Sequence, residues 1–333
     1  MAIKLGVSLY SLQEDYYLGK LDLEGCIERV SNEVGADGIE FLPDQMPLPG
    51  WPELSKEAVD LWFSWMEKYN TVPTSYGAVF FDTMYKNRML TVKEVVDLTI
   101  EDLKRAARLG FKVYRTGIIR KEHLEILERC LPVAEELGIQ IATEIHAPRG
   151  IHTWWTQEWL EVIQRTGTKA GGFVPDMGIF SVSLPVPFVK RLLREGANEA
   201  IIARIEEAYR AKEPLSEEDV RGMGGNEKDL QALSSINRLV YDDPEWLREV
   251  LPYTKHIHGK FYEMTEDYQE SSIDYANAIR VLLDAGWDGY ISSEYEGQRH
   301  YFDIGCDTYM DPVEQCRRHH VMIKNLIAKL SGR

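Results

Sequence analysis

Four residues between positions 144 and 294 have side chains that could share one divalent cation. Each lies at or near the carboxyl end of a short apolar segment typical of a β-strand: Glu144, Asp176, His258 and Glu294. Carboxylate oxygens together with an imidazole nitrogen suit Mn²⁺, Mg²⁺ or Zn²⁺. Because parallel strands closed into a barrel bring their carboxyl ends to one rim, these residues could meet despite their separation in sequence.

Such a cation would leave positions open for two substrate oxygens, for example the adjacent hydroxyl and carbonyl of a sugar. It would act as a Lewis acid that makes the neighbouring C–H acidic, and a rim carboxylate or imidazole would take the proton. Strand alternation puts Glu144 and His146 on one face of the fifth strand, so both side chains can point into the mouth of the barrel. Lys260, two residues after His258, could stabilise an oxyanion or could be a surface lysine at a strand end.

The elements that must position these residues alternate between short apolar runs and longer amphipathic stretches. We predict strands at Lys4–Tyr10, Gly38–Leu42, Val72–Gly77, Lys112–Thr116, Gln140–His146, Gly172–Asp176, His256–Phe261 and Tyr290–Glu294. Several strands follow a glycine that would end the preceding helix. Eight strands, each followed by a helix, predict an α/β fold of the (β/α)₈ TIM-barrel type. A doubly wound sheet is disfavoured because no GxGxxG motif follows the first strand.

One connection is far longer than a single helix requires. We interpret residues 1–333 as one barrel domain, with residues 181–243 forming a helical insertion between strands six and seven. One interpretation is that the insertion is a helical decoration, packed on the outside of the barrel. The other is that it forms a lid or a partner-binding surface over the mouth of the barrel.

Composition restricts the classes of function. The 333 residues include 54 acidic and 38 basic residues, and the net charge of −16 argues against a nucleic-acid groove. The four cysteines show no CxxC spacing, which favours a reducing compartment. The first ten residues resemble a strand rather than a signal peptide, and no apolar run has transmembrane length. We therefore expect a cytoplasmic enzyme that has no membrane partner.

Six further residues are candidates for substrate contacts. Four end early strands and two lie in loops after the fifth and eighth strands: Tyr10, Glu40, Tyr76, Arg115, His152 and Arg299. Each could equally be an interior hydrogen-bond partner or part of a packed loop.

At this point the chain resembles the xylose-isomerase-like barrel superfamily of sugar isomerases and epimerases over nearly its whole length. The resemblance depends on Glu144, Asp176, His258 and Glu294 at the ends of the fifth to eighth strands, in the order of that family. In the ketose 3-epimerases of the superfamily two glutamates also transfer protons. The resemblance assigns that role to Glu144 and Glu294.

Two features are similar to a narrower branch, the α subunits of bacterial C-glycoside deglycosidases. They are the Glu-x-His pair, Glu144 and His146, and the long insertion that begins with the AspMetGlyIlePhe and ProValProPhe runs. The resemblance implies a Mn²⁺ cofactor, with Mg²⁺, Co²⁺ or Zn²⁺ as alternatives, and pairing with a small β-type subunit in a hetero-oligomer or homo-oligomer. It also implies that 3-oxo-C-glycosides are cleaved by elimination, with His146 removing the proton from C2.

Three other functions compete with this interpretation. A keto-sugar isomerase or epimerase would use the same metal through an enediolate. A DNA-repair endonuclease on the same barrel would need a histidine-rich trinuclear zinc cluster on early strands, where this chain has Tyr76 and Arg115. A sugar-binding regulator would keep the barrel without catalysis, and the complete set of metal-ligand candidates argues against it.

Overall fold

The computed structural model describes residues 3–79, 83, 87–305 and 308–332. Eight parallel strands form a nearly closed barrel: β1 (Lys4–Ser8), β2 (Gly38–Phe41), β3 (Val72–Gly77), β4 (Val113–Thr116), β5 (Gln140–Ile145), β6 (Gly171–Pro175), β7 (His256–Phe261) and β8 (Tyr290–Tyr295). The predicted (β/α)₈ TIM barrel is confirmed, and the predicted strand bounds differ from the observed ones by at most two residues at either end.

Helices occupy every connection between successive strands within the described residues. They are α1 (Gln13–Tyr17), α2 (Leu23–Arg29), α3 (Lys56–Lys68), α4 (Val92–Arg108), α5 (Lys121–Leu137), α6 (Trp154–Thr166), α7 (Val186–Arg194), α8 (Glu199–Ala211), α9 (Glu217–Gly222), α10 (Glu227–Ile236), α11 (Leu247–Val250), α12 (Tyr275–Asp284) and α13 (Pro312–Leu330). The helix α13 follows β8 and completes the outer layer.

Local sequence signals determine where these helices begin and end. A capping box formed by Thr91 and Glu94 starts α4, so side chains satisfy backbone N–H groups that have no partner within the helix. Gly138 and Gly167 adopt left-handed conformations that end α5 and α6. A side chain with a Cβ would be strained at these two positions, and each glycine turns the chain toward the next strand.

At one junction between neighbouring strands, the described residues form no continuous ladder of hydrogen bonds, and we call this junction the weak seam. Hydrogen-bonded neighbours follow the order β6-β5-β4-β3-β2-β1-β8-β7, which leaves β6 and β7 at the two ends. Across this junction the described residues form only isolated bridges, Phe173 to Thr254 and Asp176 to His258. The long connection between the sixth and seventh strands therefore joins two neighbours that lack a continuous ladder.

Aromatic packing outside the barrel fixes the end of β2. Phe41 packs against Trp62 of α3, with ring centroids 5.0 Å apart, and Phe111 stacks against Phe41 at 6.3 Å. The indole Nε1 of Trp62 donates a hydrogen bond to the carbonyl of Leu109 at 3.0 Å. Because successive side chains alternate, Phe41 faces these helices while Glu40 faces the barrel interior.

The connection between β6 and β7 contains α7 to α10 and has its own apolar cluster. Buried members of this cluster include Leu192, Ile205, Val220 and Leu233, and none of them belongs to the main barrel core. The helices observed here fall within the predicted segment 181–243. Whether this segment is a decoration of a single domain, a lid or a partner surface stays a prediction.

The C-terminal helix corrects one expectation. A run of four basic residues such as Arg317, Arg318, His319 and His320 is typical of a solvated helix face, but both imidazoles are buried. The ring of His319 stacks on Phe261 at 4.3 Å between centroids, and its Nδ1 lies 2.7 Å from the hydroxyl of Ser293. Gly259 permits this approach, since a Cβ there would lie 2.9 Å from the imidazole.

Three cysteines, Cys26, Cys130 and Cys316, are buried free thiols, whereas Cys306 lies outside the described residues. None of the described helices combines the length and the apolar character needed to span a bilayer.

Candidate metal centre

The barrel rim brings the four predicted metal-ligand side chains together. Each offers one oxygen or nitrogen atom, and these atoms all lie within 4.8 Å of one another: Glu144 from β5, Asp176 after β6, His258 from β7 and Glu294 from β8. Asp176 and His258 are fully buried, and Glu294 is nearly so. This spacing allows one cation to contact all four. The assignment of the residues as metal ligands stays a prediction.

The two nitrogens of His258 face different carboxylates. Nδ1 lies 2.8 Å from Oε1 of Glu144 and 3.6 Å from Oε2 of Glu294, within the candidate site. Nε2 lies 2.8 Å from Oε2 of Glu40, on the opposite side of the ring. A proton on Nε2 can therefore be donated to Glu40, which orients Nδ1 toward the metal position. Carboxylates often support metal-binding histidines in this way.

The carboxylate of Glu40 is enclosed by side chains of the barrel interior. Its side chain is fully buried and accepts a hydrogen bond from the hydroxyl of Ser8 at 2.8 Å. The Nε2 atom of His256 lies 3.0 Å from Glu40, and the guanidinium of Arg115 lies 3.5 Å away. Protein groups therefore surround the carboxylate of Glu40, and its role as a substrate contact stays a prediction.

A cation would fit the electrostatics of the site. The ammonium of Lys260 lies 2.8 Å from Asp176, 3.1 Å from Glu296 and 3.4 Å from Glu294, and Arg115 lies 3.3 Å from Glu144. These two permanent cations face more carboxylates than they can neutralise. In addition, Oδ2 of Asp176 and Oε2 of Glu294 are buried, and each makes an ion pair with Lys260 that lacks hydrogen-bond geometry. Such buried oxygens are typical of a site that binds an ion.

Mutual interactions shift the pKa values within the cluster. Burial alone would lower the pKa of His258, but the carboxylates of Glu40, Glu294 and Glu144 raise it well above its usual range. Burial would likewise lower the pKa of Lys260, and Asp176, Glu296 and Glu294 outweigh that effect and raise it. For Glu294, burial dominates and raises the pKa despite the nearby cations Lys260 and His258.

A mouth pocket of about 290 Å³ opens above these groups, and all four predicted catalytic residues line it: Glu144, His146, Lys260 and Glu294. Arg115 and Tyr10, which were predicted to contact substrate, line the same pocket. Arg299 lies at the rim, where it donates a hydrogen bond to the hydroxyl of Tyr10 at 2.6 Å. These placements are compatible with the predicted roles, which stay predictions.

Two predicted substrate contacts lie elsewhere. The hydroxyl of Tyr76 donates a hydrogen bond to Asp102 of α4 at 2.6 Å, and its ring is buried outside the barrel. His152 packs on Trp246 with centroids 4.1 Å apart and pairs with Glu249 at 2.8 Å. Neither residue lines the mouth pocket, and their roles as substrate contacts stay predictions.

Sequence reasoning also missed residues that line the pocket. Glu296 follows β8 at a position typical of a solvated loop residue, but its side chain is mostly buried beside Lys260. Strand alternation from Glu294 could have indicated this position. Asp44 and Gln45, which follow β2, line the pocket as well, and no motif marked them.

Comparison with known proteins agrees with this fold. The sequence profile of the family described as xylose isomerase-like TIM barrel matches residues 29–182. The expected resemblance to the xylose-isomerase-like barrels is confirmed.

Two curated relatives extend the similarity to almost the full chain. A C-glycoside deglycosidase alpha subunit of Arthrobacter globiformis is 29% identical over 334 aligned residues, which cover 98% of this chain and 92% of that protein. A 3'-dehydrocarminate deglycosidase alpha subunit of a Microbacterium species is 25% identical, with 99% of this chain and 97% of the relative covered.

Solved structures resemble this barrel at lower sequence identity. The structure of an L-ribulose 3-epimerase gives a TM-score of 0.59 at 13% identity and covers 100% of this chain and 96% of its own. A xylose isomerase-like TIM barrel protein from Mycobacterium smegmatis, solved in complex with magnesium, gives 0.55 at 13% identity and covers 98% and 97%. At these identities the likeness supports the fold alone.

Proposed function

We propose that this protein is the α-type subunit of a metal-dependent carbon-carbon lyase that acts on 3-oxo-C-glycosides. It would cleave the bond between the sugar C1 and the aglycone. The names of the full-length relatives support the C-glycoside substrate. The observation that carries the proposal is the convergence of four ligand atoms within 4.8 Å beneath a pocket that His146 lines.

A divalent cation, which we propose to be Mn²⁺, would be held by Glu144, Asp176, His258 and Glu294. When bound, the cation would supply Lewis-acid stabilisation to negative charge on the 3-oxo oxygen of the sugar. The ammonium of Lys260 lines the same pocket and would add a fixed positive charge near that oxygen. The carboxylate excess around the site therefore has a use in the reaction, because it retains the cation.

His146 would act as the general base. Its neutral imidazole would remove the proton from C2, which the 3-oxo group makes acidic. The C1–aglycone bond would then break as a double bond forms between C1 and C2, and the bonding electron pair would leave with the aglycone carbon. That carbon needs one proton, and the imidazolium formed at His146 can return the proton it took. The products would be an unsaturated 3-oxo sugar and the free aglycone.

Aglycone release tests the proposal directly. The purified chain would be incubated with an aryl 3-oxo-C-glucoside and Mn²⁺, with and without a candidate small β-type subunit, and free phenol would be measured by chromatography. We expect release that stops after chelation by EDTA and returns on addition of Mn²⁺. No release with either preparation would refute the lyase function, and full activity in EDTA would refute the metal requirement.

The β-type subunit is part of the proposal because the relatives are named alpha subunits. Co-expression followed by size-exclusion chromatography with light scattering would test for a stable complex. We also propose a cytoplasmic location, which buried free thiols at Cys26, Cys130 and Cys316 support.

A second candidate function is keto-sugar isomerisation or epimerisation. Glu144 and Glu294 both line the pocket, and a pair of carboxylates there could exchange a proton with a free ketose. Incubation with free ketoses in deuterated water would reveal this activity as deuterium incorporation and inverted product. Activity on free ketoses without phenol release from the glucoside would favour the epimerase.

A further inference from the structure

A second cavity of about 240 Å³ lies beside the mouth pocket, outside β3 and β4 and against α4. Four residues that form its walls are Trp51, Val95, Leu98 and Tyr114, and we call this space the aromatic cavity. Asp44 and Val79 line both the aromatic cavity and the mouth pocket. The two spaces are therefore neighbours at one rim, and a ligand held in one could extend into the other.

The size and walls of the aromatic cavity suit a flat ring. An apolar cavity of about 150 Å³ in another protein binds benzene, so a larger space can hold a substituted ring. Val79 is 55% exposed and Leu98 is 40% exposed, although both are large apolar residues. Exposed apolar side chains that line a cavity are typical of a ligand site.

The aromatic walls are held in place by neighbours. The guanidinium of Arg105 lies 5.5 Å from the ring centroid of Trp51, and its Nε donates a hydrogen bond to the carbonyl of Pro52 at 2.9 Å. The ring of Tyr114 stacks on Tyr76 with centroids 5.7 Å apart. Because these side chains are fixed before a ligand arrives, little ordering would be needed on binding.

Carboxylates in the walls can recognise phenolic hydroxyl groups. Asp102 accepts hydrogen bonds from the hydroxyls of Tyr76 at 2.6 Å and Tyr114 at 3.1 Å, which are themselves phenols. Asp44 lies at the boundary between the two spaces, and its side chain makes no hydrogen bond with another described residue. A phenolic hydroxyl entering the cavity could donate to Asp44.

We propose that the aromatic cavity is the aglycone subsite and that it binds the phenolic ring of an aryl C-glycoside. The inference rests on the proposed function, since it assigns the sugar to the mouth pocket and the ring to the adjacent space. The boundary formed by Asp44 and Val79 would lie near the bond between C1 and the ring. Selectivity for hydroxylated aromatic aglycones over aliphatic ones follows from this arrangement.

Resorcinol, a small dihydroxybenzene, is a suitable probe because its binding requires no catalysis. We would titrate it by ligand-observed NMR into the full chain and into Leu98→Trp, which fills the cavity from a position that is 40% exposed. Leu61→Trp is the matched control, since Leu61 is 36% exposed on α3 and does not line the cavity. We expect affinity to fall about tenfold or more in Leu98→Trp only, which is the scale of a lost ring contact.

A second variant separates ring binding from hydroxyl recognition. Asp44→Asn removes the charge at a side chain without a hydrogen bond to a described residue, so the fold should be retained. We expect weaker binding of resorcinol by a few-fold, with toluene binding unchanged. Equal binding of resorcinol to the parent chain and to Leu98→Trp would overturn the subsite.

The two proposals can fail independently. If resorcinol binds and Leu98→Trp weakens it, but no 3-oxo-C-glucoside is cleaved, the subsite stands and the lyase assignment is wrong. If aryl 3-oxo-C-glucosides are cleaved and Leu98→Trp changes neither resorcinol affinity nor KM for those substrates, the lyase stands and the subsite is wrong.

Discussion

The two halves of the barrel rim differ in what their strand ends offer. The strands β5 to β8 carry, within them or directly after them, side chains whose oxygen and nitrogen atoms converge within 4.8 Å. By contrast, β1 and β2 carry Ser8 and Glu40, which are fully buried and contact one another. Glu40 in turn contacts the ring of His258. The later half of the barrel thus presents candidate metal ligands, while the earlier half orients one of them.

Removing a candidate ligand should have the largest effect. In Asp176→Asn we expect Mn²⁺ affinity to fall more than about 100-fold and deglycosylation to fall about 10⁴-fold, because Lewis-acid stabilisation of several kcal/mol would be lost. Bound metal would be measured by mass spectrometry and activity by phenol release.

Asp229→Asn is the matched control for this change. Asp229 is also fully buried, but it caps α10 and accepts a hydrogen bond from the backbone of Asn198 at 2.8 Å, far from the rim. Its replacement should leave metal affinity unchanged. Normal manganese content in Asp176→Asn would contradict the assignment of Asp176 as a ligand.

Removing the proposed base should reduce turnover while sparing the metal. For His146→Ala we expect phenol release to fall about 10³-fold, within the usual range for general-base catalysis, with bound manganese nearly unchanged. His152→Ala is the control, because His152 pairs with Glu249 and does not line the pocket. Full activity of His146→Ala would show that the base is another group, and loss of manganese would make His146 a coordinating or structural residue.

A change in the earlier half should have an intermediate effect. Glu40→Gln would weaken the hydrogen bond that orients His258, and supporting carboxylates of this kind contribute about 10-fold to 100-fold to metal affinity. Ser8→Ala, which removes only a donor to Glu40, should alter affinity by less than about threefold. Isothermal titration with Mn²⁺ would compare the two. If Glu40→Gln binds as tightly as the parent chain, the two halves of the rim act independently.

The smallest effect is a dependence of metal affinity on pH. Burial would lower the pKa of His258, but Glu40, Glu294 and Glu144 raise it well above its usual range, which favours a proton on the ring. A cation must displace that proton, and affinity should therefore fall about tenfold for each unit that pH decreases below this raised pKa. Calorimetry at pH 7 in buffers of different ionisation enthalpy should detect about one proton released from His258 and a further fraction from Glu294, whose pKa is raised to about 7. Binding without proton release would contradict the raised pKa.

Local patterns predicted the barrel and its candidate ligands because both depend on short-range rules. Apolar runs bounded by glycine stops located the strands, and the carboxylate and imidazole side chains within or directly after β5 to β8 marked the candidate site. Tyr76 was assigned to the mouth because it lies near the end of β3, although alternation places its neighbour Gly77 on the pocket side. Stricter use of the two-residue alternation of a β-strand would have excluded Tyr76 from the residues that line the mouth pocket.

Other features could not be predicted from local patterns. The contact between Glu40 and His258 joins residues 218 positions apart, and the register of β2 against β3 shifts between Ile39 and Glu40. Such a shift depends on the packing of neighbouring strands rather than on the residues of β2 alone. The position of His152 depends on loop contacts with Trp246, which no periodic pattern encodes.

Because β6 and β7 pair only weakly, the candidate ligands would also affect the stability of the barrel. Asp176 and His258 form one of the isolated bridges between β6 and β7. An ion bound by both side chains would therefore cross-link the two strands. Loading manganese should consequently raise the melting temperature, and protection from hydrogen exchange should increase most in these two strands. The same ion would then stabilise the closed barrel and take part in the proposed reaction.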